Sequence, residues 1–290
     1  MKKSSKLRNI WYSLSSNQRF FIRRVYYLPK DTMDTLTGKR HKYVPPRGYI
    51  YTGSPASAED YLKQGQHQVN MLKEYAKLQP GHAILDIGSG IGRTAIALTD
   101  YINESGSYEG FDVVERGVQW CNSRIHKEYP NFNFQYVPLF NDLYNTAKLK
   151  ATEFIFPYAD NSIDVAFSFS VFTHMQIEEI QHYFNQIHRI LKPGGVCLST
   201  FFLYDDTSEE LISGNKSFSF PMKKENYRLM NDSVKSGNIA IHKNNLFRML
   251  CEAHFEEVKI IEGFWKDEVR DIAKTEYQDM VIFRKTNSSS

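Results

Sequence analysis

The stretch Ile84-Leu85-Asp86-Ile87-Gly88-Ser89-Gly90-Ile91-Gly92-Arg93 constrains the fold more than any other part of this chain. Apolar residues around one acid read as the end of a buried strand. Three glycines at alternate positions make a tight turn, and Thr94-Ala95-Ile96-Ala97-Leu98 opens a helix. Glycines at such a turn let a ligand lie against backbone N–H groups at a helix N-terminus, so strand, turn and helix together predict a nucleotide-type site. A dinucleotide fingerprint has the form G-x-G-x-x-G. Counted from Gly88, its third glycine would stand at position 93, which is Arg93.

The rest of the chain repeats strand and helix. Strands are expected at 82–88, 108–113, 132–137, 162–169, 196–203, 258–261 and 280–284. Helices are expected at 59–78, from the turn to about 102, at 115–129, 176–191 and 244–253. In the helix at 176–191 the residues Ile177, Ile180, Phe184, Ile187 and Leu191 step by three and four, and Lys192-Pro193-Gly194-Gly195 ends it. This alternation predicts an α/β chain with a doubly wound parallel sheet. Residues 204–242 break the rhythm. They are polar and long for a connection, which marks a functional or disordered insert.

Charge separates an arm from a body. Residues 1–48 hold twelve Lys or Arg and two acids, Asp31 and Asp34, for a net +10, while the remainder carries −7. Within 1–28, apolar residues at 7, 10, 11 and 14 and at 21, 25 and 28 fit helices with one apolar face. Such a face can pack on the body or a second subunit, or lie on an anionic membrane. Nucleic acid is disfavoured because the acidic body repels phosphate. Residues 29–58, rich in Pro, Gly, Ser and Thr, read as a linker. The expected division is an arm and linker at 1–48 and a domain at 49–286 that includes the 204–242 insert.

With 41% hydrophobic and 14% aromatic residues the chain can bury a large core. No run approaches the roughly 18 apolar residues of a membrane span, and no secretory signal is expected. Three scattered cysteines, Cys121, Cys197 and Cys251, read as core thiols in a reducing compartment.

Asp112 ends the second strand, where an acid in a doubly wound fold accepts hydrogen bonds from ribose hydroxyls. With the glycine motif, Gly110-Phe111-Asp112-Val113, Ser162-Ile163-Asp164-Val165-Ala166-Phe167 and Leu191-Lys192-Pro193-Gly194-Gly195, the chain resembles the class I S-adenosylmethionine-dependent methyltransferases over about 80–285. Phe172-Thr173-His174-Met175 and Tyr277-Gln278-Asp279 resemble a bacterial subgroup associated with glycan or natural-product methylation. The resemblance implies a Rossmann-like seven-stranded sheet with its last strand antiparallel, and S-adenosylmethionine as cofactor. It implies a cofactor-binding set of Asp86, Gly88, Ser89, Gly90, Gly92, Arg93, Asp112, Val113 and Ser170. The family's acid near the adenine amino group falls at Pro138, which leaves backbone groups or Asn141 for that contact.

Ser168-Phe169-Ser170-Val171 after the fourth strand lacks the Pro-Pro-aromatic run of relatives that methylate nucleobase amines. Asp205-Asp206 has no clear third ligand, so no metal is expected. His174 is the candidate base, because imidazole titrates near neutrality and could take a hydroxyl proton; it could equally just start the 176–191 helix. Tyr204 and Asp205 are rival bases, His242 is a candidate lining residue, and Trp265 is either an apolar wall or core. His182 and His188 read as solvated. The expected activity is methyl transfer to a small molecule or glycan, on a hydroxyl oxygen. Its alternatives are N-methylation of a small amine, a protein target, or cofactor binding without turnover. The expected location is cytoplasmic, with peripheral contact at the inner membrane face and a homo-oligomer as options.

Overall fold

The structure, a computed structural model, describes residues 14–53, 57–141, 145–214, 218–232, 234–269 and 271–286. The helix expected around 7–14 and the tail at 287–290 fall almost wholly outside these residues.

Seven strands form the central sheet: β1 (Ala83–Ile87), β2 (Ser107–Asp112), β3 (Phe132–Tyr136), β6 (Ile163–Ser168), β7 (Leu191–Phe201), β12 (Glu257–Ile261) and β13 (Asp279–Arg284). Short strands lie between them in the chain. β4 (Phe140–Asn141) pairs with β5 (Asn145–Thr146). β8 (Leu203–Tyr204), β9 (Met222–Lys223), β10 (Tyr227–Leu229) and β11 (Ile239–His242) belong to a separate small sheet. The order of the central sheet is β12-β13-β7-β6-β1-β2-β3, and β13 runs antiparallel to both its neighbours. The Rossmann-like sheet with an antiparallel last strand is therefore present. β1 pairs with β2 on one side and β6 on the other. The strand order reverses at β1, so a crevice opens beyond the carboxyl ends of these strands.

The central strands are apolar on both faces because helices cover both. Among the described residues seven α-helices do the covering and extend the chain: α1 (Ser16–Leu36), α2 (Ala58–Tyr75), α3 (Arg93–Leu98), α4 (Glu115–Cys121), α5 (Ile177–Ile190), α6 (Glu209–Gly214) and α7 (Lys243–Glu252). Ile84, Val165, Phe167, Leu198 and Met280 pack toward α2, α3 and α4. Leu85, Ile87, Ala166, Cys197 and Val281 pack on the opposite face toward α5 and α7. On α5, Ile180, Phe184 and Ile187 are fully buried, each contributing about 1.5–3 kcal/mol. Gln176 and Glu179 close a capping box at its start. The helix ends at Ile190 and the expected Lys192–Gly195 turn is drawn into β7.

Three sequence expectations need correction. Residues 29–58 are not a free linker: α1 continues through Pro29 to Leu36, and Tyr43, Val44 and Ile50 are buried against the body. The 204–242 insert is built. It forms a small sheet of order β8-β11-β10-β9, with Phe202, Phe220 and Trp265 packed beneath it. Strands two to four residues long leave no readable period, and this cluster fixes them instead. Cys251 is exposed, unlike the buried Cys121 and Cys197.

A candidate cofactor cleft at the strand-order reversal

A cavity of about 230 Å³ opens at the carboxyl ends of β1, β2 and β6. Gly88, Arg93, Asp112, Val113, Ser170 and His174 line it, so six of the residues expected at the site converge there. Asp86, Ser89, Gly90 and Gly92 are not in its wall. They belong to the end of β1 and to the turn that leads into α3.

The glycine turn is shaped by its neighbours. Gly88 has φ +81°, and a Cβ there would come within 2.4 Å of Val171 Cγ2. Gly90 has φ +61°, and a Cβ there would come within 2.8 Å of Thr52 Cγ2. Only glycine takes both the left-handed backbone and the close approach. The turn's donors are already used within the protein. The N–H groups of Gly88 and Ser89 donate to Phe111 O at 2.9 and 3.0 Å, Gly90 N–H to Asp112 Oδ2 at 2.8 Å, and Gly92 N–H to Ser89 O at 3.1 Å. The expectation of a row of N–H groups facing a ligand is corrected at these four positions. The turn gives a ligand room.

The two acids differ. Asp112 accepts from Gly90 N and Val114 N, each at 2.8 Å, and from the Tyr51 hydroxyl at 3.2 Å. Burial pushes its carboxyl up to about 6, against the pull of those donors. Asp86 lies under the turn and accepts from the Tyr108 hydroxyl at 2.6 Å. Burial pushes it up to about 7, the Tyr108 bond holding it down and the nearby Asp112 charge adding to the rise. Asp86 is thus a framework acid tied to β2, placed to hold the strand ends in register.

At one end of the cleft Arg93 donates to the Thr52 carbonyl, and its buried Nε has no protein partner among the described residues. A buried unpaired donor is costly unless something accepts from it. At the other end Val113, Leu139, Phe140 and Ala151 supply apolar surface beside Asn141. The cleft therefore combines a cation, a carboxylate and apolar surface.

Ser170 follows β6 in the left-handed region at φ 61°. Its N–H donates to Thr200 Oγ1 and its hydroxyl to Gln278 Oε1, each at 2.7 Å. A non-glycine residue there holds backbone strain of about 1–3 kcal/mol at the cleft rim. His174 sits on a single 3₁₀ turn, with Nδ1 2.7 Å from the Ser236 carbonyl. A carbonyl only accepts, so Nδ1 carries a proton and Nε2 is the ring's acceptor when neutral.

The rival bases go elsewhere. Tyr204 is buried against the His242 ring, and Asp205 is tied to Lys243, Thr207 and Ser208. His242 caps α7 and contacts Asp206; neither it nor Tyr204 nor Asp205 lines the cavity. Trp265 is buried, with Nε1 donating to Asp279 at 2.6 Å. His182 is held on Phe154 O at 2.8 Å, and His188 is half-buried against Phe255, with burial lowering its pKa. Both are packed where solvation was expected. Among the described residues no group of three or more His, Cys, Asp or Glu is arranged to hold a metal.

Tyr51 and Thr52 also line the cleft as a strap, from the stretch 49–66 expected to cover the acceptor, although 29–58 reads as linker by composition. The aromatic run Tyr43, Tyr49, Tyr51 was the available signal, because aromatic side chains are costly to leave in water.

Residues 85–199 match the family described as methyltransferase domain, and residues 29–137 match that of protein-L-isoaspartate(D-aspartate) O-methyltransferase. Phosphoethanolamine N-methyltransferase 2 of Caenorhabditis elegans is 27% identical over 147 residues, covering 49% of this chain and 29% of its own length. Methyltransferase GfsG of Streptomyces halstedii is 24% identical over 147 residues, covering 51% of this chain and 47% of its own length. This chain spans less than half the length of either. The PH0226 protein of Pyrococcus horikoshii OT3 shares the fold at TM-score 0.52 and 16% identity, over 82% of this chain and 95% of that one. Residues 85–199 are thus similar to a methyltransferase domain on the Rossmann-like fold that PH0226 shares, and S-adenosylmethionine is the cofactor.

Proposed function

We propose that the protein transfers a methyl group from S-adenosylmethionine to a hydroxyl oxygen of a small molecule or glycan. The observation that carries this reading is His174: it lines the cleft, and its Nδ1–H bond to the Ser236 carbonyl sets the tautomer in which Nε2 is the basic nitrogen. The bacterial glycan and natural-product subgroup suggested by Phe172–Met175 and Tyr277–Asp279 belongs to the same proposal, as does a cytoplasmic location.

Bound, the cofactor supplies an electrophilic methyl group on a positively charged sulfur. Asp112 would accept from the ribose hydroxyls and Arg93 would face the methionine carboxylate. Val113 and Leu139 would flank the base, with Asn141 at its polar edge. Tyr51 and Thr52 on the strap exclude water from one side, and Ser170 shapes the opposite rim. Holding acceptor and methyl group in line can remove about 7–11 kcal/mol of barrier. Nε2 of His174 would take the acceptor hydroxyl's proton as the hydroxyl oxygen bonds the methyl carbon, the carbon–sulfur bond pair returning to sulfur to leave a neutral thioether.

A second reading is N-methylation of a small amine. It draws on the similarity to phosphoethanolamine N-methyltransferase 2, whose name specifies an amine. An amine must be neutral to attack, so His174 would serve there too. Incubating the protein with methyl-labelled cofactor and cell extract, then fractionating, tests the proposal. Label in a glycan or small-molecule fraction supports it. Label in protein, or none despite cofactor binding, overturns it.

A further inference from the structure

Helix α1 turns its apolar face outward. Its polar side makes most of its contacts with the body, joined by Phe20 against Tyr51 and Arg116. Asp31 accepts from the N–H groups of Arg47 and Gly48 at 2.9 and 3.0 Å, Arg47 pairs with Asp34, and Arg23 donates to the Ile50 carbonyl. Away from the body, Phe21, Val25 and Leu28 form a stripe with Tyr26, Met33 and Leu36, and all six are exposed; Phe21 is 67% exposed and Leu36 79%. Among the described residues, Phe21, Val25 and Leu28 are thus left exposed, whereas Phe20, Arg23 and Arg24 meet the body.

Charge says what covers this face. Asp31 and Asp34 are the only acids among residues 1–48, and both are turned inward onto Arg47. The stripe carries no acid, and Lys30 and Lys39 stand exposed near it, while Arg24 stacks over Tyr49 of the body. An apolar helical stripe margined by cations, with Tyr at its edge, is the pattern of a helix lying in an anionic bilayer surface. Pairing two such arms in a dimer would instead bring two segments of net +10 together.

We propose that α1 docks the protein on an anionic lipid surface, apolar stripe down. The dock is continuous with the cofactor cleft. Phe20 packs edge-on against Tyr51 at 5.7 Å, and Tyr51 in turn donates to Asp112. The proposal stands apart from the methyl-transfer reading, because vesicle binding is read without turnover.

The test is co-sedimentation of the full chain with phosphatidylcholine vesicles, with and without about 30% phosphatidylglycerol. Binding is expected only to the anionic vesicles, and it should weaken as salt rises. The triple variant Phe21→Gln, Val25→Gln, Leu28→Gln should bind about tenfold or more weakly, with thermal midpoint and cofactor affinity unchanged because these side chains are mostly exposed. Lys30→Gln and Lys39→Gln should each weaken binding about fivefold. Equal binding to neutral vesicles, no binding at all, or undiminished binding by the triple variant overturns the proposal. So does a dimer in analytical ultracentrifugation that the triple variant abolishes while no vesicles are bound.

Discussion

Replacing Asp112 by asparagine keeps the size of the side chain and removes its charge. The carboxylate holds Gly90 N and Val114 N at 2.8 Å on its two oxygens, so the NH₂ of the substituted amide must face one of those donors. Each hydrogen bond to a charged group contributes about 1.5–3 kcal/mol. Losing the charge on the bonds to the ribose, together with one donor clash, should weaken cofactor binding about a hundredfold or more. The pH dependence is the sharper readout. Burial places the free carboxyl at about 6, and two ribose hydroxyls can donate only to the ionised form. Below about 6 the free protein holds the proton, binding must release it, and affinity falls about tenfold per pH unit. Above that value affinity is flat. Calorimetry between about pH 5 and pH 8 reads both affinity and proton release in buffers of different ionisation heat. Wild-type affinity independent of pH, or an Asp112→Asn variant with wild-type affinity, would refute the ribose assignment.

Asp86 is expected to act on stability. Its folded value of about 7 lies above its unfolded one, so its contribution is fully present below the unfolded pKa and is lost as pH rises through about 7. Thermal midpoints of wild type and Asp86→Asn should therefore diverge in slope between about pH 5 and pH 8, the variant being the flatter; parallel curves would contradict it. Gly88→Ala should destabilise by about 1–3 kcal/mol in urea unfolding, from φ +81° and the 2.4 Å approach to Val171. Adding Val171→Ala should return the contact part of that loss and leave the backbone part; no recovery would mean the contact is not felt. His174→Ala should lower turnover about 10²–10⁴-fold with cofactor affinity kept, and remove the acidic limb of the pH–rate profile that a protonated base produces, whereas wild-type turnover would make His174 a helix-entry residue only.

The sheet was legible because its strands are unambiguous. Ile84-Leu85-Asp86-Ile87, Val165-Ala166-Phe167 and Met280-Val281-Ile282-Phe283 are apolar on both faces, which only a doubly covered strand can be. The path of α1 was less so. Pro29 reads as a break, but its missing N–H is tolerated on a surface helix whose polar side is fixed by Asp31, Asp34 and Arg47. The insert escaped because Phe202, Phe220 and Trp265, which organise it, are 18 and 45 residues apart in sequence.

Within the cleft the glycine motif and Asp112 stood out by spacing, and the structure places Gly88 and Asp112 in one wall. Asp86 lies in the same motif and reads alike, yet it faces Tyr108 under the turn. Sequence spacing cannot separate a wall residue from the one beneath it. Tyr51 and Thr52 reach the cleft through tertiary folding of the strap, which no local period reveals.

The most direct measurement is the site of methylation in the product. The protein would be incubated with cofactor bearing an isotopically labelled methyl group and with cell extract, and the labelled product examined by NMR. A methoxy carbon on a small molecule or glycan is the expected result, lost in His174→Ala. A labelled N-methyl group would contradict transfer to oxygen, and the absence of any labelled product from cofactor-bound protein would contradict methyl transfer itself.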